Sequence, residues 1–266
     1  MFESFYEMTN TPFSRNIPPS NLYSSIMLEE TIGRLDYAST RQLFAVITGN
    51  SGTGKTTAIR KFTDMIDPGK YRVMYISDSK LTPRNFYRYL LEQLGCEAKF
   101  YRGDSKRQLH REIELMKGLH HLEAVVVVDE AHLLDKEMLE EVRFLLNVKM
   151  DSQSPMSLIL VGQTELWDRL QLQAYAAIKQ RIDIQYKLQQ MDLSQVRDYI
   201  LCHLRYSGQE KDIFTDAAIE EISKYSGGLA RIINKLCTQC LIFGSQTGKR
   251  LLDDHMVKLV IQSELL

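Results

Sequence analysis

Residues 49–56, Gly-Asn-Ser-Gly-Thr-Gly-Lys-Thr, have the composition and spacing of a phosphate-binding loop. Every fixed position of the pattern G-x-x-x-x-G-K-[ST] is matched, by Gly49, Gly54, Lys55 and Thr56. In this pattern the lysine reaches the β- and γ-phosphates of a nucleoside triphosphate, and the threonine hydroxyl binds Mg²⁺. The alternative interpretation is an ordinary glycine-rich turn.

The flanking residues favour the phosphate loop over the turn. Residues 43–48 form a short apolar run typical of a buried strand, and residues 57–62 can continue directly into a helix. A glycine loop between a strand and a helix directs backbone N–H groups and the positive helix end at a polyphosphate. The residues expected to contact the nucleotide are Gly49, Asn50, Ser51, Gly52, Thr53, Gly54, Lys55, Thr56 and Thr57.

Two carboxylates follow the most apolar run of the chain. Residues 124–128 read Ala-Val-Val-Val-Val, which is typical of a central parallel strand, and Asp129 and Glu130 come next. Ligands of open α/β sheets bind at the carboxyl ends of the strands. We therefore expect Asp129 to hold the Mg²⁺ shell and Glu130 to orient and polarise the attacking water. The alternative is a strand followed by an acidic helix N-terminus.

A polar residue ends a third predicted strand, residues 157–162. Gln163 could lie between the second carboxylate and the γ-phosphate, and we expect it to act as a sensor there, with Thr164 as the second choice. A helix cap is the alternative.

Residues 129–132 also spell Asp-Glu-Ala-His, a helicase signature, but such helicases need two tandem ATPase cores and this chain has room for one. His132 is therefore expected to be a packing or supporting residue.

The remaining patterns predict two domains after an N-terminal arm. Further strands are predicted at residues 71–76 and in the alternating run that ends at residue 188. Beyond residue 192 we find no good strand but at least four amphipathic helices, with Thr215 and Asp254 as N-caps. The predicted division is an arm (1–24), a nucleotide-binding domain (25–190) and a helical lid domain (191–266).

Composition narrows the function classes. The 266-residue chain is 44% apolar and 25% charged, as a globular protein with a full core would be. Its net charge of −1 gives no overall attraction to nucleic acid, so any DNA-binding face must be local. We expect no secretory signal, since residues 1–8 show neither a basic nor an apolar region, and no membrane span, since the apolar runs are far shorter than the ~20 residues needed. Four cysteines fit the reducing cytoplasm, and Cys237 and Cys240 lack partners for a zinc site.

Together these motifs resemble the AAA+ ATPase plan. The resemblance implies an α/β fold, with a phosphate-loop core around a parallel five-stranded sheet and a small all-helical lid. Residues 227–231 resemble the start of a lid helix that places Arg231 on the γ-phosphate of its own subunit. Residues 180–182 resemble an arginine-finger segment, which implies that Arg181 reaches a neighbouring subunit's site. The alternatives are a lid-to-core ion pair for Arg231 and a surface salt bridge for Arg181.

Nearly the whole chain is similar to the ExeA-like branch of that family, which includes the TniB and TnsC transposition ATPases. The stretches that carry this similarity are residues 5–6, 11–14, 22–23, 128–134, 160–166 and 231–234. The secretion member ExeA has a membrane segment and a periplasmic domain beyond its ATPase, and this sequence shows neither. We therefore expect a mobile-element ATPase that forms a ring or filament on duplex DNA and licenses a partner DDE transposase.

The most basic stretch of the chain is the expected DNA-binding surface. Contacts to DNA would be mainly to phosphates and therefore non-specific and sensitive to salt. The candidate residues are Lys80, Arg84, Lys99, Arg102, Lys106 and Arg107, with Tyr101 as a stacking partner. Two other functions stay open: a secretion or envelope-assembly ATPase with a protein partner, and a small-molecule phosphotransferase. The helical C-terminal region argues against the phosphotransferase.

Overall fold

A computed structural model of the protein describes residues 1–78, 81–146 and 154–265. The chain folds as two compact units. The sheet unit comprises Glu29–Asn50 and Lys55–Leu188. The helical unit comprises Met1–Leu28, Ser51–Gly54 and Gln189–Leu266. The N-terminal residues therefore group with the C-terminal helices, and the predicted division into an arm, a nucleotide-binding domain and a lid remains a prediction.

The sheet unit contains a parallel sheet of five strands within the described residues. Its spatial order is β2-β3-β4-β1-β5, so the first strand lies between the last two strands of the sequence. The strands are β1 (Phe44–Gly49), β2 (Tyr71–Ile76), β3 (Glu123–Val128), β4 (Ser157–Gly162) and β5 (Ile184–Leu188). The expected α/β fold with a parallel five-stranded sheet is confirmed.

Burial along the strands explains their sequences. β1 and β4 are buried at every residue and β3 at all but its first, because helices cover both faces of a parallel sheet. β2 and β5 lie at the sheet edges and alternate between exposed and buried residues. The interior position of β3 and the edge position of β5 agree with their apolar and alternating patterns.

Helices surround the sheet and make up the second unit, as predicted. Those of the sheet side are α2 (Ile26–Arg41), α3 (Lys55–Met65), α4 (Pro83–Gln93), α5 (Arg102–His120), α6 (Lys136–Leu145), α7 (Thr164–Gln171) and α8 (Ala176–Lys179). Those of the helical unit are α1 (Phe2–Phe5), α9 (Leu193–Tyr206), α10 (Asp216–Ser226), α11 (Ala230–Thr247) and α12 (Asp254–Val260).

Side-chain caps begin several of these helices, and one predicted cap is wrong. The Thr215 side chain accepts a hydrogen bond from the backbone N–H of Ala218, as expected of an N-cap. The last helix is capped by Asp253, whose carboxylate accepts from the N–H of Met256, and not by Asp254. Asp254 is instead the first helical residue, where its carboxylate accepts from Lys258.

Each unit has its own apolar core. In the sheet unit, β1, β3 and β4 pack against α4, α5 and α6. In the helical unit, Tyr6 and Phe13 of the N-terminal segment are buried with residues of α9 to α12, among them Cys237 and Cys240. Across the residues that the structure describes, no helix combines the length and the apolar character needed to cross a membrane.

Candidate functional site

The phosphate loop joins the end of β1 to the start of α3. Gly52 and Gly54 have φ angles of 85° and 97°, in the left-handed region that glycine adopts without steric cost. The Lys55 ammonium group donates hydrogen bonds to the carbonyl oxygens of Gly49 and Asn50, at 2.8 and 2.9 Å. Within the sheet unit, Lys55 therefore lies against the part of the loop backbone that would surround a phosphate.

Asp129, directly after β3, is the centre of a hydrogen-bond cluster. The hydroxyls of Thr56 and Tyr75 both donate to its Oδ2 atom, at 3.0 and 2.8 Å. The backbone N–H of Glu130 donates to Oδ1 at 2.8 Å. Asp129 is only 3% exposed, so these three donors stabilise a carboxylate that has little access to water. The structure thus places Thr56 beside Asp129, and their role as metal ligands remains a prediction.

Tyr75 is a member of this cluster that the sequence reasoning missed. It lies on β2, opposite Val127 of the neighbouring strand, and this register brings its hydroxyl to Asp129. Burial, followed by the hydrogen bond to Asp129, raises the pKa of Tyr75 to about 12. The hydroxyl therefore stays protonated and acts as a donor. A tyrosine near the end of a strand was the available signal, but it says nothing about which strand lies beside it.

Glu130 occupies an unusual backbone conformation. Its φ and ψ angles are 53° and 30°, in the left-handed region that non-glycine residues rarely adopt. Such strained residues cluster at functional sites, where surrounding contacts determine their conformation. The Glu130 side chain is 46% exposed, in contrast to the buried Asp129. This exposure fits a carboxylate that must contact a water molecule.

Both the backbone and the side chain of Gln163 lie beside the imidazole ring of His132. The Gln163 backbone nitrogen lies 3.4 Å from Nδ1 of His132, and its side-chain amide nitrogen lies 3.1 Å from Nε2 of the same ring. Nδ1 of His132 is also 3.5 Å from Oε2 of Glu130. The ring thus lies between the predicted sensor and the predicted catalytic carboxylate.

In the helical unit, Arg231 contacts the part of the phosphate loop that belongs to that unit. Its guanidinium donates to Oγ of Ser51 at 3.1 Å, and its backbone N–H donates to the carbonyl oxygen of Gly52 at 3.3 Å. A Cβ atom on Gly52 would lie 2.9 Å from Cβ of Arg231, so glycine is also required here for close approach. The γ-phosphate role of Arg231 remains a prediction.

Arg181 follows α8 and precedes β5. Its backbone N–H donates to the carbonyl oxygen of Ile178, which closes the end of α8. Two residues on, the Asp183 carboxylate accepts a hydrogen bond from the N–H of Phe44 at 2.8 Å and fixes the start of β5 against β1. The backbone around Arg181 is thus firmly placed. Its proposed action on a second subunit stays a prediction.

The six candidate DNA-binding residues have different surroundings. Lys80 lies outside the described residues. Three of the others are paired with carboxylates: Arg102 with Glu137 at 3.1 Å, Lys106 with Glu141 at 3.0 Å and Arg107 with Asp104 at 2.5 Å.

The other two candidates, Arg84 and Lys99, line an open cavity of about 490 Å³ together with Arg88 and one acidic residue, Glu97. The Arg84 guanidinium lies 4.7 Å from the centre of the Phe100 ring, which is itself 71% exposed. Cationic groups beside an exposed aromatic ring suit a phosphate backbone with adjacent bases. This cavity is the strongest part of the predicted basic surface.

The groups around the loop fit a nucleotide with Mg²⁺. The Thr56 hydroxyl and the Asp129 carboxylate bring two oxygen atoms within 3.0 Å of each other, and Mg²⁺ prefers oxygen ligands. The loop leads into α3, an 11-residue helix whose N-terminus favours negative charge. These two features support ATP and Mg²⁺ as ligands.

Comparison with known proteins finds one matching family and several individual relatives. The family described as AAA domain matches residues 38–170. General secretion pathway protein A of Aeromonas hydrophila is 30% identical over 253 residues, which cover 93% of this chain and 46% of that protein. Mu-like prophage FluMu DNA transposition protein B of Haemophilus influenzae is 28% identical over 137 residues, which cover 51% of this chain and 43% of that protein. The chain thus spans less than half the length of these relatives.

Solved structures show the same fold at low sequence identity. The ORC2 protein of Aeropyrum pernix, determined as ADPNP and ADP complexes, superposes with a TM-score of 0.70 at 14% identity. The match covers 94% of this chain and 70% of that one. At this identity the likeness concerns the fold alone.

Proposed function

The chain belongs to the AAA family of ATPases, and we propose that it binds ATP with Mg²⁺ and hydrolyses the bond to the γ-phosphate. The observation that carries this proposal is the convergence of Thr56, at the start of α3, and Asp129, directly after β3, beside a complete phosphate-loop sequence. When bound, Mg²⁺ would neutralise charge on the β- and γ-phosphates.

Each loop and strand-end residue has one role in this proposal. Lys55 binds the β- and γ-phosphates, with the backbone of residues 49–57 around them. Thr56 and Asp129 provide the ligands for the metal. Glu130 accepts a hydrogen bond from the attacking water and polarises it. Its exposed carboxylate and strained backbone support this assignment.

Three further polar residues complete the proposed site. Gln163 senses the γ-phosphate, as its place after β4 suggests. Arg231 contacts the γ-phosphate of its own subunit, and its hydrogen bonds to Ser51 and Gly52 support a role at the loop. Arg181 acts on the nucleotide of a neighbouring subunit, where an arginine supplied in trans stabilises the transition state.

Two variants test the ATPase assignment. We expect Lys55→Ala to lose nucleotide binding, measured with a fluorescent ATP analogue. Glu130→Gln should keep binding, lose turnover by at least about 100-fold, and accumulate stable oligomers. Normal turnover in Glu130→Gln would refute the role of Glu130, and unchanged ATP affinity in Lys55→Ala would refute the phosphate-loop assignment.

We further propose that ATP binding assembles the protein into a ring or filament on duplex DNA, where it controls a partner DDE transposase. The similarity to the DNA transposition protein of Haemophilus influenzae supports this role. The cationic cavity of Arg84, Arg88 and Lys99 supports contact with DNA phosphates. With four cysteines that need no disulfide, we place this action in the cytoplasm.

Charge-removal variants test the proposed DNA surface. Arg84→Ala/Lys99→Ala should weaken binding to non-specific duplex DNA and reduce the dependence of affinity on salt. The matched control is Arg205→Ala/Lys224→Ala, which removes the same charge from exposed positions of the helical unit. Equal losses in both double variants would show that only net charge matters and that the cavity is not the DNA surface.

A secretion-type ATPase acting on a protein partner is the second candidate. It is favoured by the match to General secretion pathway protein A, which extends over 93% of this chain. Steady-state ATPase rate against protein concentration, with and without duplex DNA at low salt, separates the two roles. Stimulation by DNA that added salt abolishes supports transposition. A rate that rises with protein concentration but does not change with DNA supports the secretion role. A rate that changes with neither protein concentration nor DNA supports the small-molecule phosphotransferase instead.

A further inference from the structure

His132 lies between two residues of the proposed hydrolysis site and uses both ring nitrogens. Nδ1 is within 3.5 Å of the Gln163 backbone nitrogen and of Oε2 of Glu130. Nε2 is 3.1 Å from the side-chain amide of Gln163. The imidazole is 12% exposed, so neighbouring protein groups surround most of it.

The backbone of His132 is held in place independently of its ring. Arg169 of α7 donates from one guanidinium nitrogen to the carbonyl oxygen of His132 at 2.7 Å, and from the other to that of Leu134 at 2.8 Å. On the opposite side, a Cβ atom on Gly162 would lie 3.0 Å from the backbone nitrogen of His132. A side chain at Gly162 would therefore crowd this turn. The ring is therefore presented from a fixed backbone.

We propose that His132 is a positioning residue that ties the Glu130 carboxylate to the Gln163 amide. This inference rests on the proposed function, in which Glu130 polarises water and Gln163 senses the γ-phosphate. With a proton on Nδ1, the ring faces Oε2 of Glu130 as a donor while Nε2 accepts from the Gln163 side-chain amide, so the rigid ring connects the two side chains. When the Gln163 amide turns toward a phosphate, its contact with Nε2 changes. His132 itself touches neither the nucleotide nor the water.

The surroundings of Glu130 explain why its carboxylate would need a positioning residue. Glu130 is on a strained backbone and its side chain is 46% exposed, so part of the side chain has room to change rotamer unless a neighbouring group holds it. A catalytic group that is misplaced by about 1 Å can lose about 100-fold in rate. Losing the ring should therefore slow hydrolysis without altering the groups that bind the nucleotide.

A double-mutant cycle tests the proposal. We expect His132→Ala to lower kcat by about 10-fold to 100-fold while the affinity for ATP, measured by binding, stays unchanged. Gln163→Ala should cost a similar factor. If His132 acts through Gln163, the double variant should be little worse than either single one, because interacting residues are not additive. Independent, multiplying losses would overturn the proposal.

Conservative replacements identify which nitrogen matters. His132→Asn places a polar group near the position of Nδ1, facing Glu130, and His132→Gln places one near that of Nε2, facing the Gln163 amide. Recovery of kcat by either variant relative to His132→Ala supports positioning. If neither recovers rate although both unfold at the wild-type temperature, the polar contacts of the ring are not used and the proposal fails.

Two controls separate this inference from the proposed function. His255→Ala, at an exposed position of α12, removes a histidine away from the site and should leave turnover unchanged. Glu130→Gln is measured in the same assay. If it retains full turnover, the proposed function fails first. If it is inactive while His132→Ala is fully active, only the role of His132 is refuted.

Discussion

At the scale of single residues, Asp129 is a buried carboxylate that three hydrogen bonds hold in place. Its Oδ2 atom receives hydrogen bonds from Thr56 and Tyr75, and its Oδ1 atom receives one from the backbone of Glu130. In the proposed site the Thr56 oxygen turns to the metal. Tyr75 and the backbone N–H would then be the donors that keep the carboxylate in place.

The first prediction concerns Tyr75. We expect Tyr75→Phe to raise the Mg²⁺ concentration needed for half-maximal ATPase activity by about tenfold, the lower end of typical losses when a residue that supports a metal ligand is removed. ATP affinity measured without Mg²⁺ should not change. The measurement is a Mg²⁺ titration at fixed ATP, together with binding of Mn²⁺ followed by electron paramagnetic resonance.

Tyr71→Phe is the matched control, since it makes the same change on the same strand. The Tyr71 hydroxyl lies 3.3 Å from that of Thr40 and belongs to a different contact. If both variants shift the metal requirement equally, the effect comes from the strand and not from the hydrogen bond to Asp129.

At the scale of elements, His203 of α9 links the N-terminal segment to the C-terminal helices within the helical unit. Its Nδ1 atom accepts a hydrogen bond from the N–H of Phe13 at 3.0 Å, and the two rings stack with centroids 5.0 Å apart. Burial lowers the pKa of His203 from 6.5 to about 4. The folded protein therefore holds this histidine in its neutral form, as the hydrogen bond from Phe13 requires.

The second prediction follows from this pKa. Below pH 6.5 the unfolded chain binds a proton at His203 while the folded chain does not, so stability falls as pH decreases from 6.5 toward 4. We expect this histidine alone to lower the free energy of unfolding by about 2 kcal/mol between pH 7.5 and 5. Urea unfolding at both values measures the change.

His203→Asn is the comparison that isolates the effect. Asparagine can offer an acceptor near the position of Nδ1 but does not titrate, so its stability should fall less over the same range. Carboxylates that titrate in this interval contribute equally to both proteins. If wild type and variant lose the same free energy between the two pH values, the assignment to His203 is wrong.

At the scale of the whole molecule, the proposed function requires more than one copy of the chain. The proposed role of Arg181 requires a second subunit, because the side chain is expected to act on the neighbour's nucleotide. The firm backbone around it, closed by α8 and by the Asp183 contact to β1, would present such a side chain in a defined direction. Arginines supplied in trans raise rates by about 10³–10⁵ where that mechanism is established.

The third prediction is that Arg181→Ala lowers turnover by at least about 100-fold while ATP binding by the dilute monomer stays intact. Mixing it with Lys55→Ala provides a direct test. The second variant cannot bind ATP but keeps its arginine, so mixed oligomers should regain activity. Lys179→Ala, at the end of α8, is the control and should remain active alone.

No recovery on mixing, although the two variants form mixed oligomers, would contradict an action in trans. Loss of ATP affinity by the dilute Arg181→Ala monomer would contradict it as well, because the arginine would then serve its own subunit.

Much of this protein could be predicted from the sequence alone, because the signals are local. The phosphate loop, the strand that ends in Asp129, and the helix periods depend on residues close together in the chain. The element bounds agree with the patterns to within a few residues, and the cap at Asp253 was misplaced by one position. The family was identified from the same motifs.

Other features were decided only by the tertiary structure. Tyr75 reaches Asp129 because β2 lies beside β3, and His132 meets Gln163 because β3 lies beside β4. Packing of α5 beside α6 likewise pairs Arg102 and Lys106 with acids about 35 positions further along the chain. Such contacts depend on strand order and packing, which are set by the burial of the whole core. A local pattern of residue types contains no information about them. For this reason sequence reasoning proposed the reacting groups and a supporting role for His132, but it gave neither the partners of His132 nor the contact between Tyr75 and Asp129.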